Sequence, residues 1–340
     1  MSVSAVVVNY RQPDLTRRCL LALRDDLDRL GEPWELVAVD NGSGDGSADA
    51  LRRSVPEATV VALPENLGFA GGAAHGIRRT TGEWVALVNN DVVVEPGAVG
   101  AMLAAARRSE RIGSVAAQMR FAHDPGVVNS AGIVVDRLGI AHDRLLGRPV
   151  TESEDEPVEV FGASGGAALH RRRMLDEVGG IDESFFFALD DVDLAWRARM
   201  AGWRCVYAPA AVVVHHHGAT GGHGSELKYF HVGLNRVRTL AKNADRRLLL
   251  RYGLAMAAYD AAYVAYAAAT DRTLAPARGR VRGLREWRRY RRAGAARRAV
   301  ELAPVAGMRA ALARQRVWRL HSDARVRSAS RQPRRAPVRG

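Results

Sequence analysis

Trp84-Val85-Ala86-Leu87-Val88-Asn89-Asn90-Asp91 reads as a strongly apolar strand that runs out into two amides and a carboxylate. A carboxylate just past a buried strand is fixed by the sheet yet open to the crevice above it, and in open α/β sheets that crevice is where ligands bind. Two later stretches belong with it. Asp190-Asp191-Val192-Asp193 follows the aromatic run Phe185-Phe186-Phe187, and His215-His216-His217 follows directly on the apolar run 210–214. One carboxylate, one acidic cluster and one imidazole, each at an element end, are the parts of a metal-plus-base site. The pattern points to an enzyme.

Working outward, residues 4–120 alternate short apolar runs with amphipathic stretches. Strands are expected at 4–8, 34–39, 59–63 and 84–88, with helices at 13–30 and 47–54, one ending at Arg79, and one at 97–108. Strands spaced by helices of this length argue for an α/β fold with a parallel, doubly wound sheet. Residues 121–161 are weakly patterned, and the acidic stretch 151–159 reads as a solvated loop. Order returns with a strand at 167–169, helices at 172–178 and 190–201, and strands at 205–208 and 212–214. After Gly224 the chain becomes helical. Residues 248–269 carry only Arg251 and Asp260 as charges, with Leu250, Leu254, Ala258, Ala261 and Ala265 on one face. A membrane span wants about 20 predominantly apolar residues; this alanine-rich, twice-charged stretch suits an interfacial or packed helix instead. Basic helices are expected over 278–320, interrupted near Pro304, and disorder from Ser322. The implied organisation is a domain at 1–245, a helical extension at 246–321 and a basic tail at 322–340.

A hydrophobic content of 47% with 26% charged residues describes a chain with a sizeable core. The net charge of +13 is unevenly placed. From Arg272 onward there are 21 arginines against three acidic residues, a net of +18, so the preceding body carries −5. A mildly acidic body with a strongly basic end implies an anionic partner surface: membrane phospholipid, nucleic acid or a polyanionic substrate. Cys19 and Cys205 have no metal spacing and no disulfide framework, which suits a reducing cytosol. Residues 1–8 read as a first strand and not as a signal peptide. The expected location is cytoplasmic, peripheral at the inner face of the plasma membrane.

Individual positions carry chemistry and bland alternatives side by side. Asp40, after the second strand, is placed to accept hydrogen bonds from a base or ribose, although Asp40-Asn41-Gly42-Ser43 also makes a good Asx-turn. Asn9 and Tyr10 leave the first strand on the same edge and could bracket the base. The segment from Asn66 through Gly68 and Gly71 to Gly72 offers backbone amides at a helix start, a phosphate cradle or a close-packing device. Asp91 could bind a hard divalent cation, since a metal on a diphosphate needs only one or two protein carboxylates. In the acidic cluster, helical geometry makes Asp190 and Asp193 neighbours and turns Asp191 elsewhere, so one can hold the site while another acts as base. Strand alternation puts His215 and His217 on one face and His216 on the other.

Taken in order, these stretches resemble the family 2 inverting glycosyltransferases of GT-A fold, especially the rhamnosyl- and galactofuranosyl-transferase-like branch. The resemblance covers roughly residues 3–245. It rests on Asn9-Tyr10, Val39 to Ser43, Asn66 to Gly72, Leu87 to Asp91, Gly179 to Phe186, Asp190 to Leu194, and Pro209-x-Ala-x-Val-x-His215. It implies a GT-A-type mixed sheet with a Rossmann-like nucleotide half. By position, Asp40 would contact the nucleoside, with Asn9, Tyr10, Asn66, Gly68 and Gly71 around the donor nucleotide. Asp91 and His215 would hold Mg2+ or Mn2+. Asp191 would be the general base with Asp190 beside it, and Gly165 and Gly166 would line the acceptor site. Three positions depart from the family: Asn89 stands for the first Asp of Asp-x-Asp, Asp190 for a Glu, and Ala74 for an Asn. The implied partners are a dTDP- or UDP-sugar donor and a saccharide or polyprenyl-linked saccharide acceptor in cell-wall polysaccharide assembly.

Two rivals fit less of the chain. A nucleotidyltransferase would need a basic, glycine-rich loop after the first strand, where Tyr10-Arg11-Gln12-Pro13-Asp14 stands. A nucleic-acid-binding protein accounts for the arginines but leaves Asp91, Asp191 and His215 unexplained and lacks a recognisable reading module, so no specific nucleic acid is expected.

Overall fold

The computed structural model describes residues 2–216, 225–293 and 298–331. Its first half runs β1 (Val3–Asn9), α1 (Pro13–Asp28), β2 (Trp34–Asp40), α2 (Ser47–Ser54), β3 (Thr59–Ala62), α3 (Gly68–Arg78), β4 (Trp84–Asn89), β5 (Val92–Val94) and α4 (Ala98–Ala106). It continues through β6 (Ile112–Phe121), β7 (Asp124–Ser130), β8 (Ile133–Val135), β9 (Ala141–Asp143), β10 (Val158–Val160), β11 (Ala167–Arg171), α5 (Arg172–Val178), α6 (Asp190–Met200) and β12 (Arg204–His215). Four helices follow: α7 (Glu226–Asn243), α8 (Arg246–Thr270), α9 (Ala275–Ala293) and α10 (Met308–Arg331).

Successive residues of β1 point to opposite faces, and both faces are buried, which is why the strand reads as a continuous apolar run. Val3, Ala5 and Val7 pack with Leu20 and Leu23 of α1 and Met102 of α4, while Val6 and Val8 pack with Ala73 and Ile77 of α3 on the other side. Around β1 the order β3-β2-β1-β4 is parallel throughout. Beyond β4 the sheet stops being parallel, as the expected mixed sheet requires. β11 inserts antiparallel between β4 and β6, β12 joins β6 in parallel, and β10 and β5 add antiparallel to β12. The result is a mixed sheet of α/β, GT-A-type architecture.

Several local expectations change. The weakly patterned stretch 121–161 forms β7 to β10, short strands whose pairing is too brief to leave a period in the sequence. The two strands expected near 205–208 and 212–214 are one strand, β12, with a register shift between Ala208 and Val212. Helix α10 runs to Arg331, past the point where disorder was expected, as a segment of good helix formers permits. Residues 332–340 lie outside the described residues.

The C-terminal helices pack on the body and do not trail from it. Helices α7 and α9 cross closely: a Cβ on Gly279 would meet the carbonyl oxygen of Phe230 at 2.1 Å. Helix α10 returns to the sheet edge, where His321 stacks on Phe121 with ring centroids 3.9 Å apart. Helix α8 buries only Met256 and Ala267. Leu250 and Leu254 are 77% and 91% exposed, and Ala258, Ala261 and Ala265 are exposed with them. Among the described residues no helix is long and apolar enough to cross a membrane.

Candidate active site

The Asn9–Asp40 edge is built by parallel register. Asn9 of β1 lies opposite Asp40 of β2, so two polar residues ending apolar strands meet at the carboxyl edge of the sheet. Asn9 Nδ2 donates to Asp40 Oδ1 at 2.7 Å, and Ser43 Oγ donates to the same oxygen. Asn9 Oδ1 accepts from Thr16 Oγ1 at 2.7 Å, and Asn90 Nδ2 donates to that hydroxyl at 3.2 Å. Asp40 is thereby linked side chain by side chain to the turn that carries Asp91. Tyr10 leaves the strand half-buried with the Arg11 guanidinium 5.2 Å from its ring centroid.

The Asn66–Gly72 segment has a packing role that the phosphate-cradle reading did not contain. Asn66 Oδ1 accepts from the Gly68 amide at 2.8 Å, and the Ala70 amide donates to the Phe186 carbonyl at 3.2 Å. Gly68 sits at φ +73°, and a Cβ there would come within 2.2 Å of the Phe186 oxygen. Gly71 is buried against Leu67. A phosphate at this helix start would have to use amides other than those two.

Asp91 and His215 meet because β5 pairs with β12, setting His215 opposite Val92. His215 Nε2 lies 3.2 Å from Asp91 Oδ1, and the His216 amide donates to the Asp91 carbonyl at 2.8 Å. Both side chains are buried, at 8% and 6% exposure. His215 Nδ1 lies 2.8 Å from Asn129 Oδ1 on β7. With Nδ1 carrying the proton for that bond, Nε2 presents its lone pair towards the Asp91 carboxylate, the orientation in which metal-binding histidines are held. A divalent cation held by Nε2 and Oδ1 would take the place of a proton shared between them. The buried Asn89 Oδ1 has no hydrogen-bond partner among the described residues and adds a hard oxygen donor to the same turn. The donor set fits a divalent ion that also takes diphosphate oxygens. His217 lies outside the described residues.

The acidic cluster divides its labour. Asp193 is fully buried and takes Arg197 Nε at 2.8 Å, Lys242 Nζ at 2.9 Å and Asn243 Nδ2 at 2.8 Å, tying α6 to α7. Asp191 turns towards the sheet: its Oδ2 accepts from the Gly165 amide at 2.9 Å and its Oδ1 from the Val192 amide at 2.8 Å. Burial pushes the Asp191 carboxyl above the ordinary range against those amides. Asp190 lines a cavity of about 20 Å³ with His170 and Ser114. Burial first, then the Asp191 charge, pushes Asp190 up to about 8. Gly166 accepts from the Asn89 amide at 2.9 Å, so a path of two hydrogen bonds, through Gly166 and Gly165, joins the Asp91 turn to Asp191.

Sequence reasoning missed four contributors. Asn129 orients His215 from a strand with no pattern. Asp143 of β9 lies within electrostatic reach of Asp191, His215 and Lys228, and burial raises its carboxyl to about 6. Lys228 of α7 is lowered by burial and held up in part by Asp143. Asn235 of α7 holds the loop before Asp190: its Nδ2 lies 2.7, 2.9 and 2.8 Å from the carbonyl oxygens of Phe185, Phe187 and Ala188. That loop carries Phe186, Ala188 and Leu189 at positive φ, a strained run that persists only when its surroundings over-determine it. No local signal marks any of these residues.

With the geometry in view, the chain can be set beside known proteins. The sequence model of the family described as Glycosyl transferase family 2 matches residues 4–179. An N-acetylglucosaminyl-diphospho-decaprenol L-rhamnosyltransferase of Mycobacterium tuberculosis is 32% identical over 234 residues, covering 62% of this chain and 75% of that protein. An O-antigen biosynthesis protein of Myxococcus xanthus is 28% identical over 233 residues, covering 64% of this chain but only 17% of that protein. Among solved structures, GalNAc-T7 with UDP, GalNAc and Mn2+ superposes at a TM-score of 0.59 and 15% identity over 72% of this chain, about half (48%) of its own length. A mannosyltransferase from Pyrobaculum calidifontis in complex with GDP-Man and Mn2+ superposes at 0.52 and 21% identity, covering 85% of this chain and 83% of that one. Identities this low speak for the fold, and the fold agrees with the sequence match, which spans more than half of the residues. The chain therefore belongs to glycosyl transferase family 2 and is a glycosyltransferase.

Proposed function

We propose that the protein moves a hexosyl unit, with inversion, from a dTDP- or UDP-sugar such as dTDP-rhamnose to a saccharide acceptor linked to a polyprenyl carrier, in the assembly of cell-wall or surface polysaccharide. The observation that carries the metal-dependent part is the buried Asp91–His215 pair with its imidazole oriented by Asn129. Mn2+ or Mg2+ bound there would neutralise charge on the departing diphosphate. The Asn9–Asp40–Ser43 network would hold the nucleoside, with Tyr10 beside the base. Asp191 would take the proton from the acceptor hydroxyl, whose oxygen attacks the anomeric carbon from the face opposite the nucleotide; the carbon–oxygen bond to the diphosphate breaks as the new one forms. A single displacement of this kind inverts the anomeric configuration, by the logic that separates inverting from retaining glycosidases. Asp190, kept protonated by burial, leaves Asp191 as the charged member of the pair. Gly165, with no side chain, keeps the acceptor approach to Asp191 open, and Gly166 continues that wall.

The named activity of the Mycobacterium tuberculosis relative supports the lipid-linked acceptor. The exposed apolar stripe of α8 and the arginines of α9 support peripheral attachment to the anionic inner face of the plasma membrane; cationic groups near such a surface add about 1 kcal/mol each. A panel of dTDP- and UDP-sugars, assayed with a GlcNAc diphosphate-polyprenol acceptor with and without Mn2+, tests the reaction. One donor series should turn over and only with the metal; no turnover with any donor overturns the reading. Because α9 is packed against α7, membrane attachment is better tested by substitution than by truncation. Leu250→Glu with Leu254→Glu should lower flotation with phosphatidylglycerol vesicles severalfold, and unchanged flotation removes the membrane surface as a partner.

A further inference from the structure

Next to the catalytic carboxylates, α10 closes over β9, α7 and α8 to leave a cavity of about 250 Å³. One wall carries Asp143, Leu189 and Val192, the last two flanking Asp190-Asp191 in the chain. Tyr259, Tyr263 and Tyr266 of α8 and Trp318 of α10 add an aromatic lining. An aromatic lining alone would suit any apolar guest, but the polar lining asks for more. Thr239 is 3% exposed, and its Oγ1 has no hydrogen-bond partner among the described residues; the same holds for the buried Nδ1 of His142. Buried polar atoms left unmatched are costly in a folded chain, which makes such atoms candidates for ligand contacts. Charge points the same way. Asp260 takes both Arg236 Nε, at 2.6 Å, and Arg280 Nη2, at 2.9 Å. Arg314 of α10 lines the same cavity and is joined to no carboxylate among the described residues. Arg236, Arg280 and Arg314 outnumber Asp143 of the lining and the Asp260 shared by the first two, so the cavity carries a net positive charge, and guanidinium forks match phosphate oxygens.

We propose that this cavity seats the diphosphate linker of the lipid-borne acceptor: Arg314, Thr239 Oγ1 and His142 Nδ1 hold phosphate oxygens, while Tyr263 and Trp318 pack against the first isoprenoid unit. The inference rests on the lipid-linked acceptor proposed above. The positions agree with it, since the saccharide to be glycosylated must reach Asp191 and its linker must leave from beside that residue. Burial, then the Arg314 charge, lowers His142 to about 4, so its imidazole stays neutral and can donate from Nδ1.

The test is a tryptophan-fluorescence titration of the full chain in EDTA, where no metal–diphosphate forms at the donor site. The probes are farnesyl diphosphate, farnesol, inorganic pyrophosphate and dihexanoyl phosphatidate, with Trp318→Phe identifying the reporting residue. Farnesyl diphosphate should bind at least tenfold tighter than each of the other three. Arg314→Ala should weaken it at least tenfold, Arg314→Lys less, and Thr239→Val about threefold, with unchanged melting temperatures. Farnesol binding as well as farnesyl diphosphate, tighter binding of phosphatidate, or indifference to Arg314→Ala would each overturn the assignment. Titration of UDP and dTDP with Mn2+ on the same samples keeps the two readings apart. If nucleotide binds and farnesyl diphosphate does not, the cavity assignment alone fails; if neither UDP nor dTDP binds, the proposed dTDP- or UDP-sugar donor fails instead.

Discussion

The two halves of the site handle carboxylates in opposite ways. At the Asn9–Asp40 edge, Asp40 sits on parallel strands and is satisfied by Asn9 and Ser43, in a lattice of short side chains that fixes shape. At the Asp191 edge, Asp190 is buried and Asp191 and Asp143 are half-buried, and desolvation pushes all three towards the protonated form. On the proposed mechanism, the satisfied carboxylate would read a ligand and the desolvated one would accept a proton. The contrast has a structural origin. The Asn9–Asp40 edge follows from consecutive β-α-β units, while the Asp191 edge is assembled from β9, β11, α6 and α7, which lie far apart in the chain.

The comparison can be broken most sharply at Asp191. Asp191→Asn should lower turnover by about 10²–10⁴-fold while leaving nucleoside diphosphate binding intact, as measured by steady-state transfer and by titration on the same samples. A parallel loss of both would mean that the two halves are not separable. Next in size is Asn129→Ala, which removes the acceptor for His215 Nδ1. Apparent Mn2+ affinity should fall about 10–100-fold, as is usual when a partner orienting a metal-binding histidine is lost; unchanged metal dependence of activity would remove His215 from the metal site. Asn235→Ala leaves three carbonyls of the strained loop, that of Phe185 buried, short of a donor. It should cost about 1–3 kcal/mol in urea unfolding and reduce turnover more than nucleotide affinity.

The smallest effect sharpens the contrast through pH. Asp190 is raised to about 8 when folded, against about 3.9 for a free side chain. Between those values the folded chain holds the proton that the unfolded chain has lost, so this group's contribution is fully present at low pH and fades as pH rises towards 8. Asp190→Asn removes that decline. The variant should melt higher than the parent at pH 8, by roughly 2–4 °C if about 1 kcal/mol is relieved, and the gap should close towards pH 5. A gap independent of pH would show that Asp190 is not the titrating group.

Much of the donor half was legible because its signals are local. Apolar runs ending in Asn9, Asp40 and Asn89 fix both the strand and its polar tip, and parallel neighbours in sequence order align those tips. The Asp91 and His215 motifs were visible as residues, but what brings them together is β5, a three-residue strand too short to announce itself. The glycine segment at 66–72 was visible as a pattern, yet its packing against Phe186 could not be read from composition, since close packing and phosphate binding use the same residue type. Asp143, Asn129 and Asn235 were invisible, because a lone Asp or Asn in an unpatterned strand or an ordinary helix looks like surface.

By itself, the sequence determined that strands and helices alternate, that both faces of the first strands are buried, and where polar residues stand at strand ends; each of these depends on periodicity within a few residues. Only the tertiary structure decided which of those residues face one another. The Asp91–His215 contact, the Asn129 bond to the imidazole, the Asn235 hold on the loop before Asp190 and the arginine-lined cavity under α10 all join segments separated by dozens to more than a hundred residues. Such pairings arise from sheet order and helix packing, which no local pattern encodes.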